Sequence, residues 1–260
     1  MTGNEPTQGP PGGLFDWAEW YERTINWSAR LRREVPVLAH VFGPPGAGGL
    51  LDAGCGTGHQ ASALAQRGYQ VVGADVSEAM LAVARRGSSA AAAAVRFVRA
   101  PYHELHAAVG DGFDGVYCLG NALAAAGGRD LVRDAIVQFA RCLRRGGRLF
   151  VQILNFPPMR QETPCVRGPR VCETDGVRYV SVRQFHFSGD TVQVTNITIF
   201  NDGGWKQQAH CGVLYPATLD ELRPWCDEAG LRIEAVWGGY ERTPFDAGRS
   251  TDLILEATRR

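Results

Sequence analysis

Residues 50–60, "LLDAGCGTGHQ", place three glycines, Gly54, Gly56 and Gly58, behind a short apolar run that ends in Asp52. A glycine turn between a strand and a helix lets the backbone approach a ligand closely and aims the first helical N–H groups at it. Further on, "YQVVGAD" ends a second apolar run in Asp75. A carboxylate at that kind of strand end can accept both hydroxyls of a ribose, so the pair points to a nucleoside ligand. The glycines are spaced two and two, tighter than the G-x-G-x-x-G of a dinucleotide site. A phosphate loop ending in GK[ST] is excluded, because the chain's only lysine is Lys206.

Such a loop needs a strand before it and a helix after it, and the surrounding pattern supplies them. Strand-like runs "GLLDAG", "YQVVGAD", "VRFVRA", "FDGVYCLG" and "GRLFVQIL" alternate with helix-like stretches over 59–67, 77–86 and 130–143. Alternation of this kind predicts an α/β fold, a doubly wound sheet with helices on both faces. Ahead of it, a Gly/Pro-rich tail over 1–13 gives way to helical spacing in "LFDWAEWYERTINWSARLRREVPVLAHVFG". After Asn155 the period changes to two. "VRYVSVRQFHF", "DTVQVTNITIF" and "GWKQQAHCGVLY", joined by "SGD" and "NDGG", predict a three-stranded antiparallel meander. "TLDELRPWCDEAG" reads as a helix with Thr218 as N-cap, Glu221 closing a capping box and Gly230 as terminator, and two strands follow. The expected organisation is a tail at 1–13, one domain from 14–155 and 215–260, and an inserted lid over 156–214.

Composition narrows the partners. Lys+Arg and Asp+Glu are both 27, so no basic field exists to hold a nucleic acid or an anionic membrane. No apolar run is long enough to span a bilayer and the N-terminal stretch lacks the pattern of a signal peptide, which places the chain in the cytoplasm. Seven cysteines without a CxxC pair read as free thiols, and no metal site is expected. The alanine run at 90–94 and the near-absence of lysine reflect genome composition more than a partner.

Taken together, "LDAGCGTG", Asp75, "FDGVYCLGNAL", "CLRRGGRLFVQ" and "TLDELRPWCDEAGL" resemble the class I S-adenosylmethionine-dependent methyltransferases. The L-G-N of "YCLGNAL", the aromatic N-terminal segment and the inserted meander are most similar to the glycine/sarcosine N-methyltransferase-like, small-molecule branch. The resemblance implies a seven-stranded Rossmann-like sheet, S-adenosylmethionine as cofactor and S-adenosylhomocysteine as product. It also implies roles. Asp52, Ala53, Gly54 and Gly56 would form the loop at the methionine end, with Tyr21 and Arg30 closing over it; Asp75 would hold the ribose. Val76 and Met80 would flank the adenine, with Ala100, Pro101 and Tyr102 after the third strand and Leu119 after the fourth. Asn121 and Tyr215 would position the acceptor, and no general base is assigned.

Two departures stand out. Ala100 and Pro101 occupy the place where the family often carries a carboxylate or amide for the adenine amino group. "QILNFP" puts Leu154 where glycine-methylating relatives carry an arginine for the acceptor's carboxylate, which argues against glycine itself. "NFPP", at 155–158, has the wrong order and place for a nucleic-acid amino-methyltransferase motif and reads as a Pro-directed exit from the sheet. Cys55 and Cys118 read as packing residues. His103, His186 and His210 are the candidates should a hydroxyl acceptor need a base. The expected activity is methyl transfer to a small-molecule amine. O- or C-methylation of a specialised metabolite, or cofactor binding without catalysis, are the alternatives, and self-association through the meander's edge is left open.

Overall fold

The computed structural model describes residues 16–87 and 95–260. The tail over 1–13, the start of the domain at 14 and the alanine run at 90–94 lie outside the described residues. Two capped helices come first, α1 (Trp17–Thr24) and α2 (Trp27–Phe42). Asp16 Oδ1 accepts from Glu19 N at 2.8 Å, and Asn26 Oδ1 from Ala29 N at 3.0 Å, so each helix begins on a side chain suited to its free N–H groups.

The alternating region then unfolds as the pattern predicts. Strands β1 (Leu50–Ala53), β2 (Val71–Asp75), β3 (Val95–Arg99), β4 (Phe113–Cys118) and β5 (Leu143–Leu154) alternate with α3 (His59–Ala65), α4 (Glu78–Gly87), α5 (Leu105–Val109) and α6 (Arg129–Cys142). After the fifth strand come a short helix, α7 (Phe156–Arg160), and the second sheet. The chain closes with α8 (Leu219–Glu228), β10 (Leu231–Trp237) and β11 (Asp252–Arg259). Glu221 Oε2 accepts from Thr218 N at 3.1 Å and from its hydroxyl at 3.2 Å, which is the expected capping box.

Seven strands form one sheet in the order β10-β11-β5-β4-β1-β2-β3, with only β11 antiparallel to its neighbours. Alternate residues face opposite sides. Leu51, Val116 and Val151 pack with Phe139 of α6 on one face; Leu50, Tyr117 and Phe150 pack with Leu38 of α2 and Leu64 of α3 on the other. Each such side chain contributes roughly 1.5–3 kcal/mol by burial. Chain order reverses between β1 and β4, so the loops leaving these two strands diverge and open a crevice at their carboxyl ends.

The insertion has four strands where three were expected. β6 (Cys165–Thr174), β7 (Val177–Ser188), β8 (Thr191–Asn201) and β9 (Trp205–Leu214) form an antiparallel sheet in sequential order. The additional strand is β6, whose Gly168 and Pro169 break its alternation and coincide with a register shift between Arg167 and Arg170. Proline is tolerated there because β6 is an edge strand. "NFPP" begins α7 with its prolines in the first turn, so the exit from the sheet is helical. The second sheet rests on α1: Trp20 Nε1 donates to the buried Thr198 Oγ1 at 3.0 Å, and Trp17 and Trp20 pack on His210 at ring separations of 5.2 and 4.9 Å. Among the described residues no helix is long and apolar enough to cross a membrane.

Candidate active site

The crevice between the loops after β1 and β4 is a cavity of about 280 Å³. Its floor is the glycine turn. Gly54 N and Cys55 N both donate to Ala74 O, at 2.8 and 3.0 Å, which ties the turn to β2. Gly54 has φ +83°, and a Cβ there would lie 2.5 Å from Tyr102 Oη and 2.8 Å from Ala122 Cβ, so both the conformation and the space demand glycine. Asp75 crosses from the end of β2 to the same turn: one oxygen accepts from Gly56 N at 2.8 Å and the other from Ser77 N at 2.9 Å. Each oxygen retains a lone pair for a hydroxyl donor.

Charge in the cavity is arranged to receive a cation. Asp52 is fully enclosed; burial, with Asp75 adding repulsion, pushes it up to about 8, although the Tyr117 hydroxyl beside it and Arg30 oppose the shift. Burial also raises Asp75, against the backbone N–H groups of Ser77, Gly56 and Val76. Trp17, Tyr21 and Trp27 form an aromatic rim, with Tyr21 5.5 Å from Trp27 between ring centres. Two carboxyls and aromatic faces together suit a positively charged ligand.

Arg30 is held in place on three sides. Its Nε donates to both oxygens of the buried Glu34 at 2.9 and 3.1 Å, and its Nη1 to Tyr21 Oη at 2.8 Å. A Cβ on Gly120, where φ is +67°, would lie 2.5 Å from the Arg30 guanidinium, so the glycine of L-G-N makes room for the cation. Burial works to lower the Arg30 pKa, and Tyr21 and Glu34 more than offset it, keeping the group firmly charged. Gln60 Nε2 completes the Glu34 shell at 2.8 Å.

Comparison with known proteins agrees with this geometry. A methyltransferase domain model matches residues 50–147. Over 237 residues, 88% of this chain and 79% of the relative, the sequence is 27% identical to a glycine/sarcosine N-methyltransferase of Parasynechococcus marenigrum. The fold is similar to that of S-adenosylmethionine-bound CalS10, an amino pentose methyltransferase from Micromonospora echinaspora, with a TM-score of 0.72 at 25% identity over 94% of this chain and 95% of that one. It is also similar to the CcbJ methyltransferase from Streptomyces caelestis, with a TM-score of 0.75 at 24% identity over 93% and 95%. The chain is a class I S-adenosylmethionine-dependent methyltransferase. S-adenosylmethionine is its cofactor, and the paired lone pairs of Asp75, the glycine floor and the anionic, aromatic walls fit that cation.

Of the cofactor residues anticipated from the methyltransferase pattern, Tyr21, Arg30, Asp52, Gly54, Gly56, Asp75, Val76, Met80, Ala100, Pro101, Tyr102 and Leu119 line the cavity. Ala53 does not; it is fully buried behind the turn. Tyr102 lines the wall, yet its hydroxyl lies 3.5 Å from Cys118 Sγ and its ring meets Phe139 edge-on at 5.3 Å, so it braces the floor.

Both acceptor residues expected from sequence are placed elsewhere. Asn121, at φ +68°, accepts from Leu154 N at 3.0 Å and joins the exit of β4 to the end of β5. Tyr215 donates its hydroxyl to Glu221 Oε1 at 2.6 Å, and its backbone N–H to Ala124 O at 2.8 Å; it fastens α8. Neither lines the cavity; Asn121 Oδ1 is engaged by the end of β5 and the Tyr215 hydroxyl by the α8 cap.

Several lining residues escaped the sequence reading. Trp17, Trp27 and Gln60 come from helices whose facing is set only by tertiary packing, and Leu131 and Asp134 come from the first turns of α6. Leu131 and Asp134 are three apart, a spacing that signals a shared helix face but not which face. Cys55 lines the cavity with its thiol pushed well up by burial, which disfavours the nucleophilic thiolate. His59, its nearest sequence neighbour with a base, pairs with Glu22 at 2.8 Å and stacks on Trp27 at 4.0 Å.

Proposed function

We propose that this methyltransferase alkylates a nitrogen of a small-molecule amine. The observation that carries the reading is the cavity itself: a cleft lined by carboxyls and aromatic rings at the sheet's switch point, walled by α1, on which the four-stranded sheet packs. Two of the named relatives lend support, a glycine/sarcosine N-methyltransferase and an amino pentose methyltransferase.

Bound S-adenosylmethionine supplies an electrophilic methyl group: an acceptor N–C bond forms as the C–S bond breaks, and that bond's electron pair stays on sulfur. The chain's task is alignment and exclusion of water. In this reading Asp75 holds the ribose and Arg30, steadied by Glu34 and Tyr21, meets the methionine carboxylate. Met80, Ala100, Pro101 and Leu131 enclose the adenine, and Asp134 on α6 replaces the carboxylate that β3 lacks as acceptor for the adenine amino group. Residues 165–214 close the chamber, and an amine that arrives neutral needs no base before transfer.

A hydroxyl acceptor is the second reading, favoured by His103, which lines the cavity at half exposure. A turnover screen of amines against phenols and alcohols, read by release of S-adenosylhomocysteine, separates the two. The amine reading expects turnover on amines, unchanged within about twofold in His103→Ala, since no base is required. Turnover confined to hydroxyl acceptors and lost in that variant contradicts it.

A further inference from the structure

The inner face of the lid is polar at the very place where it meets α1. Arg183 on β7, Asn196 on β8 and His210 on β9 stand in one cross-strand row. Tyr179 and Phe185 are buried on the same side of β7, whereas Gln184 and His186 are exposed, so Arg183 points inward. Its Nε donates to Asn196 Oδ1 at 2.8 Å. Among the described residues no Asp or Glu lies within ion-pair distance of its guanidinium, and the charged or titratable groups that act on it are Arg170, Tyr21 and Arg30. Tyr21 and Arg30 both line the cofactor cavity.

A second donor in the row is unmatched. The Gln208 amide lies 2.6 Å from His210 Nε2, which makes that nitrogen the acceptor and puts the ring proton on Nδ1. His210 Nδ1 is buried without a partner among the described residues, beneath Trp17 of the cavity rim. Asp16, the acid felt by His210, is engaged in capping α1. Burial, with Arg170 and Arg30 adding repulsion and only Tyr21 opposing, lowers Arg183 to about 10. A half-buried cation and a buried N–H donor that face no anion carry a desolvation cost that a ligand's anion would offset.

We propose that Arg183 is the counter-charge for an anionic group, a carboxylate or a phosphate, carried by the methyl acceptor, so that this lid residue sets the substrate class. The inference rests on the methyl-transfer reading and extends it. Leu154, at the end of β5, offers no cation, so an anionic acceptor would be gripped from the lid and not from the sheet. With its anion on the lid, the acceptor's amine is left to extend toward the rim formed by Trp17 and Tyr21.

The test is calorimetric binding of three matched amines, β-alanine, O-phosphoethanolamine and ethanolamine, to the protein saturated with S-adenosylhomocysteine. Wild type should bind one or both anionic members at least about tenfold more tightly than ethanolamine, the scale of a charge-assisted hydrogen bond. The stronger of the two identifies carboxylate or phosphate. Arg183→Gln should lose that preference, Arg183→Lys should retain part of it, and both should bind S-adenosylhomocysteine within twofold of wild type. Equal binding of all three amines by wild type overturns the proposal without needing a variant. So does a preference that survives in Arg183→Gln, or a fall in S-adenosylhomocysteine affinity in that variant, which would assign Arg183 to the cofactor. Failure of wild type to bind S-adenosylhomocysteine would instead overturn the cofactor reading beneath it.

Discussion

The sheet rim that lines the cavity and the four-stranded sheet that packs on α1 beside it are built by opposite means. The sheet rim takes its groups from adjacent turns: the glycine loop and Asp75 meet through hydrogen bonds from Gly56 and Ser77, within a short stretch of one βαβ unit. The lid takes its groups from cross-strand register, with Arg183, Asn196 and His210 aligned only when three strands pair correctly. The rim carries acids and the lid's inner row carries donors. In the proposed reading the rim holds the cationic cofactor and the lid row holds a differently charged acceptor.

The largest effect that separates scaffold from site is expected at Arg30. Arg30→Met leaves Glu34, only 2% exposed, without its main partner, and should cost about 3 kcal/mol of stability in urea unfolding, with cofactor affinity falling as well. A stability loss below about 1 kcal/mol would mean that Arg33 and Gln60 suffice to hold the carboxylate. Asp75→Ala should then weaken S-adenosylhomocysteine binding by about 1–3 kcal/mol with a smaller change in folding stability, because the lost bonds are charge-assisted bonds to the ligand. Unchanged affinity would remove Asp75 from the site.

Asp52 gives the rim a pH signature. Its folded-state pKa, about 8, lies above the ordinary 3.8, so between those values the native chain holds a proton that the unfolded chain has lost. Stability contributed in this way is present below about pH 4 and is lost as pH rises toward 8; Asp52→Asn should flatten that slope. A cationic ligand favours the ionised carboxyl, so cofactor binding near pH 7 should release protons, seen as a binding enthalpy that depends on the buffer's ionisation enthalpy. No proton release, or uptake, would contradict the assigned charge. Smallest of all, Tyr215→Phe should cost about 1 kcal/mol of stability by loosening Glu221, with acceptor KM unchanged. A KM change several times larger than the stability effect would restore Tyr215 to the acceptor site.

This contrast also explains what could be read from sequence. The βα alternation, the glycine turn, Asp75 and the Thr218–Glu221 box are local patterns, and each corresponds to an element or contact in the structure. β6 was hidden because Gly168 and Pro169 interrupt its period, an interruption that an edge strand absorbs. Asn121 and Tyr215 lie beside the crevice in chain order, but whether a polar side chain faces a ligand or a backbone amide is decided by neighbours far along the chain, here Leu154 and the α8 cap. The inward facing of Arg183 and the contribution of Trp17, Trp27 and Asp134 depend in the same way on packing between elements.

The central claim is that the adenosyl cofactor lies at the carboxyl rim between β1 and β4. A crystal structure of the protein with S-adenosylhomocysteine tests it directly. The account predicts the ribose hydroxyls within hydrogen-bond distance of the Asp75 carboxylate and the adenine between Met80 and Ala100. Ligand density outside that crevice, or a ribose held by other groups with Asp75 turned away, would contradict it.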